Sequence, residues 1–251
     1  MKLSKVAYLN LEVHKERDKR MREWLRDAEV PDNRIIRHEG KDAAHYDTVE
    51  EIVKAAEADG FPEFNNLLSP DLSATWAAQL GYIGCRWAFR SMLRYVASQN
   101  PQHAYLALTD KAEILKPFSE FERIVENAGE FDIIQFCNLI PRNNSRFDRE
   151  IENMLTPTPC AFDPDFIYGI PYPGDQACLY SPEGARKMLE FLSRDGNQIF
   201  SIDSINHFFN SKYGYGGVWR VISVKPDIPE PWVRRHFEDS YHKIQNQRKN
   251  T

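Results

Sequence analysis

Short apolar runs of strand length alternate along this chain with longer stretches whose apolar residues recur every three to four positions. A chain that keeps switching between a buried strand and a one-faced helix can bury both by laying the strands side by side and covering them with the helices. Val6-Ala7-Tyr8-Leu9-Asn10-Leu11 is the first strand of this kind. Met21, Trp24, Leu25 and Ala28 then fall at i, i+3, i+4 and i+7, one stripe of a helix whose other faces carry Lys15, Arg17, Lys19, Arg20, Arg22 and Arg26. After the turn signal Pro31-Asp32-Asn33, Arg34-Ile35-Ile36-Arg37 reads as the second strand.

The pattern continues. Asp47, with Glu50 three residues on, predicts a capping box for a helix with Val49, Ile52, Val53 and Ala56 inward, stopped by Gly60 and Pro62. A long helix is predicted from about Ala74 to Ser98, ending before Asn100-Pro101. It contains Gly81 and Gly84, each costing about 1 kcal/mol against Ala, so a close neighbour is expected there. Arg86, Arg90 and Arg94 form one cationic stripe on it, a pattern usual for a solvated face or a set of ion pairs. Tyr105-Leu106-Ala107-Leu108 is a third strand ending in Thr109-Asp110-Lys111. Ser119 and Glu122 open the next helix, with Phe121, Ile124, Val125 and Ala128 inward.

Asp132 to Cys137 and Gln176 to Tyr180 are the fourth and fifth strands, separated by an aperiodic stretch from Asn138 to Pro173. Long stretches of that kind are often functional. Ser181-Pro182 opens a helix with Ala185, Met188, Leu189 and Leu192 inside. A short helix over Asp203 to Asn210 and a strand over Val218 to Val224 follow. The expectation is a single α/β domain over 1–251, a mostly parallel sheet flanked by helices, with a polar tail over about 242–251.

Aromatic residues make up 12% of the chain, more than disorder-prone chains carry. No run approaches the ~18 apolar residues of a membrane span. Met1 to Lys5 lead directly into the first strand without a secretory apolar core, so a cytoplasmic protein is expected. Cys85, Cys137, Cys160 and Cys178 form no CxxC pair, which reads as buried reduced thiols instead of zinc ligands. A net charge of −5 argues against a dedicated nucleic-acid binder. Walker A and GxGxxG phosphate loops are missing.

Ligands of open α/β sheets bind beyond the carboxyl ends of the strands. That rule selects Asn10-Leu11, Thr109-Asp110-Lys111, Asn138 and Gly174-Asp175-Gln176. These segments and their neighbours resemble glycosyltransferase family 25, the lipooligosaccharide and collagen sugar transferases. Tyr8-Leu9-Asn10-Leu11 with Arg17 is similar to the family's opening "NL" and its Arg. Gly81-Tyr82-Ile83-Gly84-Cys85 is similar to "GEIGC", and Leu108-Thr109-Asp110-Lys111-Ala112-Glu113-Ile114 to "LEDDAEI". Ala177-Cys178-Leu179-Tyr180-Ser181 with Gly184-Ala185 resembles "AYLIS…GA", and Ile202-Asp203 the late "VD" pair.

The resemblance implies a GT-A-like, Rossmann-type sheet and inverting transfer of a hexose or pentose from a nucleotide-sugar donor, UDP-linked, to a hydroxyl acceptor. It implies Asn10, Leu11, Arg17, Gly84, Thr109, Asp110 and Lys111 at the donor. The family's metal-binding "EDD" reads Thr109-Asp110-Lys111 here. Lys111 then either neutralises the diphosphate without metal, or Asp110 and Glu113 hold Mn²⁺ or Mg²⁺ from displaced positions. The family's "SH" is replaced by Ala88-Phe89. Asp203 is the expected catalytic base, with Asp175 second. A helix cap and a turn are their plainer readings. Arg86, Arg90 and His236 are candidates for the acceptor and tail side. Tyr172, Trp219 and Trp232 could stack on sugar rings, against a default of core packing.

The acceptor expected is a bacterial or viral surface glycan. Two alternatives remain. One is a phage-type transferase acting on hydroxylated DNA bases through Arg86, Arg90, Arg94 and the tail cluster Arg234, Arg235, His236, Lys243, Arg248 and Lys249. The other is a catalytically degenerate module that binds a sugar nucleotide or a partner.

Overall fold

The computed structural model describes residues 1–69, 79–137, 158–168, 176–194, 220–225 and 228–236. The strands are β1 (Lys2–Asn10), β2 (Ile35–Glu39), β3 (His103–Thr109), β4 (Ala112–Ile114), β5 (Ile133–Gln135), β6 (Thr158–Cys160), β7 (Asp163–Tyr168), β8 (Ala177–Tyr180), β9 (Val221–Val224) and β10 (Val233–Arg235). The helices are α1 (Lys15–Asp27), α2 (Val49–Ala58), α3 (Leu80–Ala97), α4 (Phe118–Asn127) and α5 (Pro182–Ser193), with a 3₁₀ segment over Pro62–Leu68.

Eight strands form one sheet in the order β2-β1-β3-β8-β5-β9-β7-β6. β1 pairs in parallel with both β2 and β3, and β5 with β9. β8 and β7 run against their neighbours, so the other six strands share one direction. The expected α/β sheet flanked by helices is therefore present. β4 and β10 make a separate antiparallel ribbon.

Successive residues of a strand face opposite ways, and both faces of this sheet are covered. Tyr8, Leu106, Leu108 and Leu179 pack with Met21 and Leu25 of α1 and Phe121 and Ile124 of α4. Ala7, Tyr105, Ala107 and Tyr180 pack with Phe89 and Leu93 of α3 and Met188 and Leu192 of α5. Ile52, Val53 and Ala56 of α2 meet Phe64, Leu67, Ile83 and Trp87 in an outer layer beyond α3.

Local chemistry departs from the sequence expectations at several ends. Thr48, not Asp47, caps α2. Its hydroxyl accepts from the Glu51 amide while Glu51 reaches back, so the box sits one residue later than expected. Pro117 occupies the N-cap of α4, which places Ser119 inside the first turn. Gln79 is extended, at φ −70° and ψ 133°, so α3 begins at Leu80. Ser181 caps α5 as expected, accepting from the Gly184 amide at 2.9 Å. β7 lies within the stretch read as aperiodic, and β10 carries Arg234 and Arg235 of the tail cluster. Cys137, Cys160 and Cys178 are buried, whereas Cys85 is exposed.

Candidate functional site

Three adjacent parallel strands finish at one edge of the sheet. Asn10 closes β1 opposite Glu39 of β2, and Thr109 closes β3 opposite Leu9. The chain then turns through Asp110 and Lys111 into β4. Register alone thus brings together the "NL" of the first strand and the Asp-Lys of the third, roughly a hundred residues apart.

Asn10 is only 2% exposed, so its carboxamide needs partners within the protein. Its Nδ2 donates to Asp110 Oδ2 at 3.2 Å and to the His14 carbonyl at 3.3 Å. Its Oδ1 accepts from Arg37 Nε at 3.2 Å. Arg17, one turn into α1, places Nη1 3.7 Å from Asp110 Oδ2. His14 is the N-cap of that helix.

The surrounding charge is mainly cationic. Lys111 has its pKa lowered, first by burial, then by the charges of Arg17 and Arg235, with Asp110 and Cys85 opposing the fall. His14 is lowered by burial and by Arg17, with Asp110 and Asp42 opposing. Asp42 also accepts from the Ala44 amide at 2.9 Å, which opens a 3₁₀ turn after β2. A lysine whose ammonium is disfavoured in this way gains from an arriving anion.

Two of the other donor-side candidates border this edge. Leu11 packs on Gly40, where an added Cβ would come within 2.7 Å of Leu11 Cδ2, and the Gly40 amide donates to the Asn10 carbonyl at 2.8 Å. At Gly84 an added Cβ would stand 2.5 Å from the Lys41 carbonyl oxygen. The close neighbour expected beside the helix glycines is, at Gly84, the loop that follows β2. Thr109 donates its amide to the Gln176 carbonyl at 3.1 Å, and its buried Oγ1 has no hydrogen-bond partner among the described residues.

Glu113 points elsewhere. Arg234, opposite it in the β4–β10 ribbon, donates to its carboxylate at 3.1 Å, and His236 Nε2 lies 2.8 Å from the same oxygen. The His236 ring stacks on Trp24 with centroids 4.6 Å apart, and its amide donates to the Lys111 carbonyl at 2.9 Å. His236 therefore holds the turn that carries Lys111. Among the described residues, no three His, Cys, Asp or Glu side chains converge as a metal cage.

The arginine stripe of α3 turns inward. Arg86 is 3% exposed and donates to the Tyr82 carbonyl at 3.2 Å. Burial pushes its pKa down to about 10. Arg90 is 1% exposed and donates to the Leu192 carbonyl at 3.2 Å. It lies 3.7 Å from Glu63 and 4.4 Å over the Phe64 ring, and burial lowers it too to about 10. Arg94 bonds Asp59 at 3.0 Å. The solvated, phosphate-facing reading therefore does not hold for Arg86 and Arg90, because that side of α3 is its packing face. Trp232 is likewise core, ringed by Phe121, Phe136 and Phe166 at 5.2 to 5.3 Å.

Asp203, Asp175, Tyr172, Trp219, Asn138, Lys243, Arg248 and Lys249 lie outside the described residues, as does the expected helix over Asp203 to Asn210. The donor-side reading of the sequence did not include His14, Arg37 or Asp42, and it placed Arg235 only in the tail cluster of the DNA-directed alternative. For His14 the available signal was its place just past the end of β1. For Arg37 and Asp42 it was their place on and after β2.

No protein-family model matches the chain, and no curated protein matches it. Among solved structures it is similar to the apo crystal structure of mouse xyloside xylosyltransferase 1. The two are 12% identical, the match covers 81% of this chain and 68% of that one, and the TM-score is 0.41.

Proposed function

We propose that this chain is a glycosyltransferase that binds a nucleotide-sugar donor, UDP-linked, at the Asn10–Asp110–Lys111 edge. The observation that carries the reading is Asp110, set beyond a parallel strand, held by Asn10 at 3.2 Å and Arg17 at 3.7 Å, with Lys111 beside it. One carboxylate among several cations suits a ligand that offers both hydroxyls and phosphates. The carboxylate accepts from sugar or ribose hydroxyls, and the cations meet the diphosphate.

In the transfer, the bond between the anomeric carbon and the diphosphate oxygen breaks as the acceptor hydroxyl oxygen bonds that carbon. The hydroxyl proton passes to a carboxylate, and the nucleoside diphosphate leaves with the bonding pair. Lys111, Arg17 and Arg235 supply the compensating charge, fixed in place before the bond breaks. Asp203 is the proposed base, with Asp175 second, and the transfer inverts. The acceptor proposed is a glycan. A divalent cation wants clustered oxygen ligands, whereas Asp110 faces an amide and an arginine and Glu113 faces Arg234 and His236. That set of partners supports metal-independent transfer.

Thermal-shift screening of UDP-sugars, with EDTA and separately with Mn²⁺, tests the proposal. A rise in Tm that survives EDTA, with affinity lost at least tenfold in Lys111→Ala and Asp110→Ala, is expected. A rise only with Mn²⁺ removes metal independence. The absence of any shift with any nucleotide sugar removes the transferase reading.

A further inference from the structure

Every hydrogen-bonding group of the Asn10 carboxamide is used. Its Nδ2 serves Asp110 and the His14 carbonyl, and its Oδ1 is taken by Arg37. We propose that Arg37 is a positioning residue, which locks the Asn10 carboxamide so that Nδ2 holds Asp110 in place for the donor. The inference rests on the reading of Asp110 as a donor-binding residue.

The direction of this relay follows from the chemistry of its ends. A guanidinium has donors only and can meet only Oδ1, whereas an ionised carboxylate has acceptors only and can meet only Nδ2. Three neighbouring strands therefore carry one oriented chain of hydrogen bonds, from Arg37 in the middle of β2 through Asn10 at the end of β1 to Asp110 beyond β3. Asn10 is buried, so without Arg37 its Oδ1 becomes an acceptor with no donor. A half-turn of the carboxamide brings no relief, because it sets Oδ1 against the His14 carbonyl and the Asp110 carboxylate together. The amide must instead tilt away, and its hold on Asp110 loosens.

Arg37 does not need Asn10 to balance its own charge. Its Nη2 donates to Glu12 at 2.9 Å, and its Nε lies 3.5 Å from Asp18 Oδ1. Asp18 in turn takes the Tyr8 hydroxyl and Arg22. Two carboxylates thus balance the guanidinium charge, and the Nε–H that faces Asp18 at 3.5 Å is the one that donates to the Asn10 amide oxygen at 3.2 Å. Sequence gives no sign of this, since Arg37 is one of many arginines in a basic amino-terminal stretch.

The test uses the whole chain. In ¹⁵N-labelled protein the Asn10 side-chain amide signal, assigned by its loss in Asn10→Ala, is expected to exchange slowly with solvent. Arg37→Met should speed that exchange about tenfold, while Glu12→Gln should change it little. Arg37→Met should also weaken UDP-sugar affinity about tenfold in the wild-type background and not at all in Asn10→Ala. Arg37→Gln, which keeps a shorter donor, should recover part of both losses and serves in place of Arg37→Met if that variant does not fold. Unchanged Asn10 exchange in the Arg37 variant overturns the relay, as does an equal affinity loss in both backgrounds. If the wild-type protein binds no nucleotide sugar, the donor reading falls, and the exchange measurement alone still decides whether Arg37 orients Asn10.

Discussion

His38 lies on β2 beside Arg37, with its Nε2 buried and without a hydrogen-bond partner among the described residues. Its ring meets the edge of Tyr95 at 4.9 Å. Burial lowers its pKa from the ordinary 6.5. The unfolded chain therefore binds more protons than the folded one between the folded pKa and 6.5, and stability rises with pH through that window. Below it the cost of charging His38 is fully present. His14, lowered for the same first cause, acts in the same direction. The urea midpoint is accordingly expected to fall as pH drops from about 7 to about 5, and His38→Phe should flatten the fall. An equally steep fall in the variant would assign it to other groups. At this scale the sequence revealed residues whose meaning comes from their place on their own strand. Asn10 and Asp110 were legible because each follows an apolar run. Arg37 was not, because its partners Asn10, Glu12 and Asp18 are set by which strand lies beside which, and no local pattern encodes that.

Helix α3 shows the same limit for a whole element. Its arginines at positions 86, 90 and 94 announce a cationic stripe, but spacing fixes only which residues share a face, not what that face meets. Here it meets the 3₁₀ segment and α5, and the stripe grades from buried to open. Arg90 is buried against Glu63, Phe64 and the Leu192 carbonyl, while Arg94 is half exposed and paired with Asp59. Removing one partner of a buried ion pair costs about 3–5 kcal/mol, and an exposed pair contributes less than about 1 kcal/mol. Arg90→Ala should therefore lower stability by several kcal/mol in urea titrations and Arg94→Ala by about 1 kcal/mol or less. Equal losses would mean that the stripe is uniformly solvated, one of the two readings its spacing allowed. Caps were easier to read. The α5 cap was found at Ser181, and the α2 box was missed by one residue because Asp47 and Thr48 are both good N-caps and only the backbone decides between them.

Across the whole molecule, the alternation that opened the sequence reading becomes a sheet with two buried faces, and β1, β3, β5, β8 and β9 feed both. Leu106 and Leu108 of β3 point to α1 and α4, and Tyr105 and Ala107 of the same strand point to α3 and α5. β8 divides likewise, with Leu179 on one side and Cys178 and Tyr180 on the other. Neither core can come apart without exposing the back of the other, because the strands between them are shared. A mutation on either side should therefore weaken the same single transition. Leu106→Ala tests the α1–α4 side and Met188→Ala the α3–α5 side, each with an expected loss of about 2–5 kcal/mol. Circular dichroism and tryptophan fluorescence, whose reporters among the described residues are Trp24 and Trp232 on one side and Trp87 beyond the other, should give coincident curves in both variants. Separate transitions, with one variant shifting only one of them, would divide the chain into two folding units. The Asn10–Asp110 edge would then lie within a unit of its own instead of drawing its rigidity from the entire sheet.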